Sequence, residues 1–221
     1  MNNLKNYREN EIKWYIIAFL LLLLAVCYPT SLQGLDVDLA TKIEKLLTSS
    51  LFAGAICTLA FVFDSIFPAN VKEGLLFLGF TKMPGKTIFT RISNNKLKDA
   101  RFSNTTAKSY YADIIQGFPV DKKDRLSYEN ERWYKIYSRH REDERVVSGH
   151  RDFLLCRDLY ITTISLSMMT VMLMLFSFLP YSSFVIAYLA FMLMATNLAA
   201  HNKAHRFANT ILAVELSNKK K

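Results

Sequence analysis

Apolar residues fill positions 14–32, 46–67, 158–179 and 181–200 almost without interruption, and polar residues occupy the segments between them. A helix needs about 20 such residues to cross a hydrocarbon core, where every backbone N–H and C=O must be bonded within the segment. The pattern therefore predicts four membrane-spanning helices. Pro29, Pro68 and Pro180 stand where three of these runs end, as expected of a residue that cannot continue a helix. Trp14, Tyr15, Tyr28, Phe67, Tyr160 and Tyr181 lie near the ends, where amphipathic rings suit the headgroup layer. Residues 1–13 mix Glu9 and Glu11 with Lys5, Arg8 and Lys13, and no small-x-small site follows, so the first run is expected to be a retained span.

Between the second and third runs the period changes. Asn70 to Phe80 holds Leu75, Leu76, Phe77, Leu78 and Phe80, too short to span and too apolar to be exposed, and reads as an interfacial or buried helix. Pro84-Gly85 predicts a turn with the glycine at positive φ, leading into a short strand over Thr87–Ile92. Tyr110, Tyr111, Ile114 and Ile115 share one helical face between Thr105 and Gln116. A helix from about Leu126 places Trp133, Ile136, Tyr137 and His140 on one side, with Glu131 and Lys135 as a surface i,i+4 pair. Another begins near Glu142 with Val146, Val147, His150, Phe153 and Leu154 in one stripe, and is expected to continue into the third span. The fold class that follows is an all-α membrane protein, four spans with a small, mostly helical domain at 68–157 inserted between the second and third.

Composition sharpens this picture. The 221 residues are 51% hydrophobic and 21% charged with a formal net charge of +9, a mixture that must be segregated to be soluble anywhere. A single water-soluble globule, a disulfide scaffold and a disordered chain are excluded. Cys27, Cys57 and Cys156 form no C-x-x-C spacing. The 68–157 insert carries eighteen Lys and Arg against eleven Asp and Glu, whereas the 33–45 loop holds two lysines beside Asp36, Asp38 and Glu44. Excess Lys and Arg mark the cytoplasmic side, so the segment 1–13, the insert and the tail 201–221 are expected inside and the 33–45 loop outside a bacterial inner membrane.

Several groups could carry chemistry. Gly85-Lys86-Thr87 lacks the spacing of a phosphate loop, because Phe80 stands where the first glycine belongs. Arg145-Val-Val-Ser-Gly-His150 has the R-x-x-x-x-H spacing of HEPN ribonucleases. That resemblance implies action on an RNA phosphate, with His150 as general acid or base. Val146 replaces the usual polar neighbour, and ten Lys or Arg between Lys122 and Arg157 make the spacing easy to meet by chance, so a basic helix with a packed histidine is favoured. His201 and His205, one turn apart, are two zinc-type ligands without a third, and no cofactor or metal is expected. Asp64, near the inner end of the second span, is expected to pair with Lys72 or Arg157. Ser50 and Gly54 make a small-x-x-x-small pair in that span, and Thr162, Thr163, Ser165, Ser167 and Thr170 put hydroxyls along the third. Close packing of spans two and three into a homo-oligomer is the expectation, with Ser50, Gly54, Thr163, Ser167 and Thr170 at the contact. Each Lys or Arg near an anionic leaflet contributes about 1 kcal/mol, so lipid is favoured as partner of the basic insert over direct nucleic-acid binding.

In layout, the spans 46–67 and 159–200 with the insert between them resemble small multi-spanning membrane effectors of bacterial antiphage defence systems. The resemblance rests on layout and on no diagnostic motif. It implies a cytoplasmic part that senses a protein or nucleoprotein partner and a bundle that perturbs the membrane without catalysis. A membrane-tethered ribonuclease and a structural or partner-binding subunit are the alternatives.

Overall fold

The computed structural model describes residues 2–27, 67–77, 82–97 and 99–218. Among them the secondary structure is helical throughout: α1 (Asn2–Cys27), α2 (Ala69–Phe77), a 3₁₀ turn (Pro84–Lys86), α3 (Ile88–Ser93), α4 (Asn104–Tyr110), α5 (Ala112–Gln116), α6 (Lys122–His140), α7 (Glu144–Leu175) and α8 (Ser183–Asn218). Three helices are long and apolar enough to cross a membrane, within Arg8–Cys27, Glu144–Leu175 and Ser183–Asn218. The expected span at 46–67 lies outside the described residues except for Phe67, and so do Ser50, Gly54 and Asp64.

Helices α7 and α8 have 32 and 36 residues, about 48 and 54 Å at 1.5 Å per residue, against a hydrocarbon core of about 30 Å. Each has an apolar part suited to the bilayer and a charged part beyond it. In α7 the charged part comes first, through Asp158; in α8 it follows Ala200. Residues 201–218, which hydropathy leaves as a tail, are thus the last turns of α8. Ala204, Phe207, Ala208, Ile211, Leu212 and Val214 recur there at helical spacing and are buried. The α7 helix stops at Leu175, short of Pro180. Ser177 takes a left-handed φ of 60°, and the Phe178 amide returns to the Leu173 carbonyl at 2.9 Å.

The strand expected at Thr87–Ile92 is instead helix α3. Ile88, Phe89 and Ile92 stand at i, i+1, i+4 and all three are fully buried, a period that a six-residue apolar run leaves ambiguous until it packs. Gly85 has no positive φ; it lies in the 3₁₀ turn, where a Cβ would come within 2.8 Å of the Trp133 ring. Close approach explains the glycine. The single helix expected at Thr105–Gln116 is divided at Tyr111 into α4 and α5. Side chains cap the entries: Ser103 accepts from the Thr106 amide at 3.1 Å, and Asp121 from those of Lys123 and Asp124 at 2.8 and 3.3 Å.

The chain divides into two compact units, Met1–Leu76 with Leu155–Leu198, and Phe77–Leu154 with Ala199–Lys221. In the first, α1 packs on α7 and α8 through Ile16, Phe19, Leu20, Leu23, Leu166 and Leu189, with Phe19 stacked on Tyr188. In the second, α3 and the aromatic face of α6 enclose the polar half of α8. Trp133 and Tyr137 meet Phe207 edge-on, each with centroids 5.8 Å apart.

Candidate functional site

Polar side chains inside each unit are the residues that packing alone does not explain. In the first unit, Asp158 opens the apolar part of α7 with a side chain only 3% exposed, and it is held by two guanidiniums. Arg8 of α1 reaches it at 3.1 Å, and the neighbouring Arg157 at 2.9 Å through Nη2 and 3.0 Å through Nε. A buried carboxylate is tolerated only when paired in this way. One turn further along, Thr163 Oγ1 donates to the Leu159 carbonyl at 2.7 Å and is 2.8 Å from Tyr15 Oη, which therefore donates to it. Ser165 and Ser167 return their protons to the carbonyls of Ile161 and Thr163 at 3.1 and 2.7 Å. Thr163 thus meets α1, and its expected contact with the second span involves residues outside those described. Ser167 is spent on its own helix, and Thr170 is buried.

In the second unit the centre is Glu215, an acid in the apolar run Ile211–Leu216 near the end of α8. Its carboxylate bonds His140 Nε2, pairs with Arg139 at 2.8 Å, and accepts from Tyr110 Oη at 3.3 Å. One side chain thereby ties α4, α6 and α8 together. Glu129 of α6 does similar work at the first turn of α3, accepting from the Thr90 amide at 2.9 Å and from the Thr90 hydroxyl. Thr87, the residue preceding α3, gives it no side-chain cap, so Glu129 satisfies that orphan donor from another helix. Burial pushes the Glu129 carboxyl above its ordinary range, opposed by these hydrogen bonds.

The two candidate pairs read from the sequence are drawn to different partners. Arg145 is exposed and forks onto Asp143, Nε to Oδ1 at 3.0 Å and Nη2 to Oδ2 at 2.9 Å. His150 lies flat on Phe207, centroids 5.0 Å apart at 14°, with Nδ1 3.4 Å from Tyr137 Oη. His201 meets the Phe77 ring edge-on at 5.0 Å. His205 Nδ1 faces Arg91 Nη1 at 2.8 Å, and because a guanidinium can only donate, the imidazole nitrogen accepts. Desolvation first, then the charges of Arg91 and His201, pull His205 down to about 4. Among the described residues no three His, Cys, Asp or Glu side chains gather as a metal site.

The residues that hold these centres, Arg8, Tyr15, Asp158 and Glu215, carry sequence signals that periodicity passes over. Asp158 is a charge at the threshold of an apolar run, and Glu215 is a lone acid inside one; either demands a buried partner. A scan against protein-family models, a search of curated proteins and a search of solved structures each return no match to this chain.

Proposed function

We propose that the protein is a signal-gated, non-enzymatic effector of a bacterial inner membrane, with both termini and the 68–157 domain in the cytoplasm. In this reading the second unit receives a cytoplasmic protein or nucleoprotein signal, and the first perturbs the bilayer as a homo-oligomer. The antiphage setting follows the resemblance in layout. One observation carries the reading: α7 and α8 each run unbroken through residues of both units, α7 passing the division at Leu154–Leu155 and α8 at Leu198–Ala199. A continuous helix, hydrogen-bonded from turn to turn, offers a path by which a change at one end can reach the other. Supporting the non-catalytic part, Arg145 is engaged by Asp143 and His150 is stacked on Phe207.

The test is regulated expression in bacterial cells carrying a membrane-potential dye, before and after phage infection. Depolarisation after infection is expected for wild type and for His150→Ala, and its loss for Leu155→Pro, which interrupts α7 where the units divide. Reporter fusions at Lys42 should read outside and those at Lys96 and Lys220 inside. An unchanged potential in infected cells, or loss of the phenotype in His150→Ala at normal membrane abundance, replaces this reading with the ribonuclease or the interaction subunit.

A further inference from the structure

The second unit carries an open depression of about 400 Å³ lined by Asp99, Ala100, Arg101, Arg206 and Asn209, distinct from the Glu215 and Glu129 centres. That volume is at the lower end of small-molecule pockets, which run from about 300 to 1,000 Å³. Its charge is asymmetric. Two guanidiniums face one carboxylate, which leaves an unbalanced positive charge in the depression. Arg101 is fixed in place: its Nε and Nη2 fork onto Asp99 at 2.9 and 2.7 Å, and Nη1 donates to Thr210 Oγ1 at 2.9 Å. A guanidinium has five N–H groups, so two of Arg101 stay unengaged by these bonds, held in a set direction. Thr210 is itself locked by donating to the Arg206 carbonyl at 2.8 Å. Asn209 is 6% exposed, and its Oδ1 is an acceptor with no hydrogen-bond partner. Buried acceptors of that kind are rare in folded proteins and call for a donor.

We infer that this depression binds a small phosphate monoester, with Arg206 and the free N–H groups of Arg101 on the phosphate and Asn209 Oδ1 accepting from a hydroxyl or amino group of the ester's organic part. Planar guanidiniums suit phosphate oxygens through paired N–H donors, and Asp99 serves as the brace that orients Arg101. The inference concerns the second unit alone and stands whether or not the first perturbs a membrane.

Isothermal titration of the full-length protein in lipid nanodiscs tests it, with a nucleoside monophosphate, the matching nucleoside and inorganic phosphate as probes. The monophosphate should bind below about 1 mM, inorganic phosphate more weakly, and the nucleoside not measurably. Arg206→Ala, a change to an exposed side chain, should weaken the monophosphate by about tenfold or more, while Lys135→Ala leaves it unchanged. Nanodiscs containing phosphatidic acid identify the source of the phosphate. If they compete with the soluble ester, the natural ligand is a lipid headgroup; if they do not, it is a soluble ester. No binding of any phosphate probe at about 10 mM, or equal affinity in wild type and Arg206→Ala, overturns the assignment.

Discussion

Around its core the first unit leaves a belt of large apolar side chains on its surface, and the second buries nearly all of those described. Trp14, Leu21, Met172, Phe184, Phe191 and Met194 are exposed in the first, and among the described residues of the second only Val120 and Tyr134 are so. An aqueous surface would leave such a belt as a large hydrophobic patch, whereas lipid tails solvate it. The polar interiors differ accordingly. The first unit buries Asp158 between two arginines that have little water to return to. The second uses Glu215, whose partner Arg139 is largely in solvent. The same kind of ion pair therefore carries different weight in the two halves.

The largest effect is expected at Asp158. Asp158→Ala leaves Arg157, 10% exposed, and Arg8, 28% exposed, without their carboxylate, and breaking a buried pair from one side costs about 3–5 kcal/mol. Thermal unfolding in detergent should show that loss, and Arg8→Leu combined with Asp158→Leu should recover part of it. Glu215→Leu should cost less, about 1–3 kcal/mol, because Arg139, already largely in solvent, can be hydrated. Hydrogen exchange should rise in α4, α6 and the end of α8 and stay unchanged in α1. A loss at Glu215→Leu larger than at Asp158→Ala would reverse the comparison.

Acid should act on the second unit through His205. Its folded value near 4 lies below the 6.5 of an unperturbed imidazole, so between these values the unfolded chain binds a proton that the folded chain does not. Stability contributed by the neutral ring is present above pH 6.5 and is lost as pH falls toward 4. Because the ring is partly solvated, the loss is discounted to about 1–2 kcal/mol. Denaturant midpoints measured across that window should slope for wild type and flatten for His205→Gln. Asp99, Asp143 and Asp152, held low first by Arg101, Arg145 and Lys203 respectively, add their own losses below the ordinary carboxylate range. The smallest effect belongs to Lys135→Ala. Its bond to Glu131 is 2.6 Å, yet both side chains are exposed, and the unfolding midpoint should not move measurably.

What could be read from sequence, and what could not, follows from period length. The long apolar runs of α1, α7 and α8 span many turns, so hydropathy alone finds them. The Trp133–Ile136–Tyr137 face and the Glu131–Lys135 pair are legible for the same reason. Helix α3 is not, because Ile88, Phe89 and Ile92 satisfy two periods over six residues and only burial chooses between them. The end of α8 misleads in the opposite direction. His201, Lys203, His205 and Arg206 lower its average hydropathy, while Phe207, Ile211 and Leu212 keep a core stripe on one face. Of the candidate site, the R-x-x-x-x-H spacing is visible in one dimension, but Asp143 and Phe207, which engage its two members, come from a turn and from a helix more than fifty residues away. Glu215 needs three helices in place before its role exists.

The contrast between a unit with an apolar belt on its surface and one that buries its apolar side chains is tested most directly by single-cysteine accessibility in a chain whose own cysteines are replaced by serine. Membranes in their native lipid would be treated with a membrane-impermeant maleimide added to both sides. Cysteines at Met172, Phe184 and Met194 should stay unlabelled until detergent is added, and cysteines at Val120, Tyr134 and Ser138 should label at once. Prompt labelling at Met172 and Met194 in intact membranes would contradict the account, since the apolar belt would then face water.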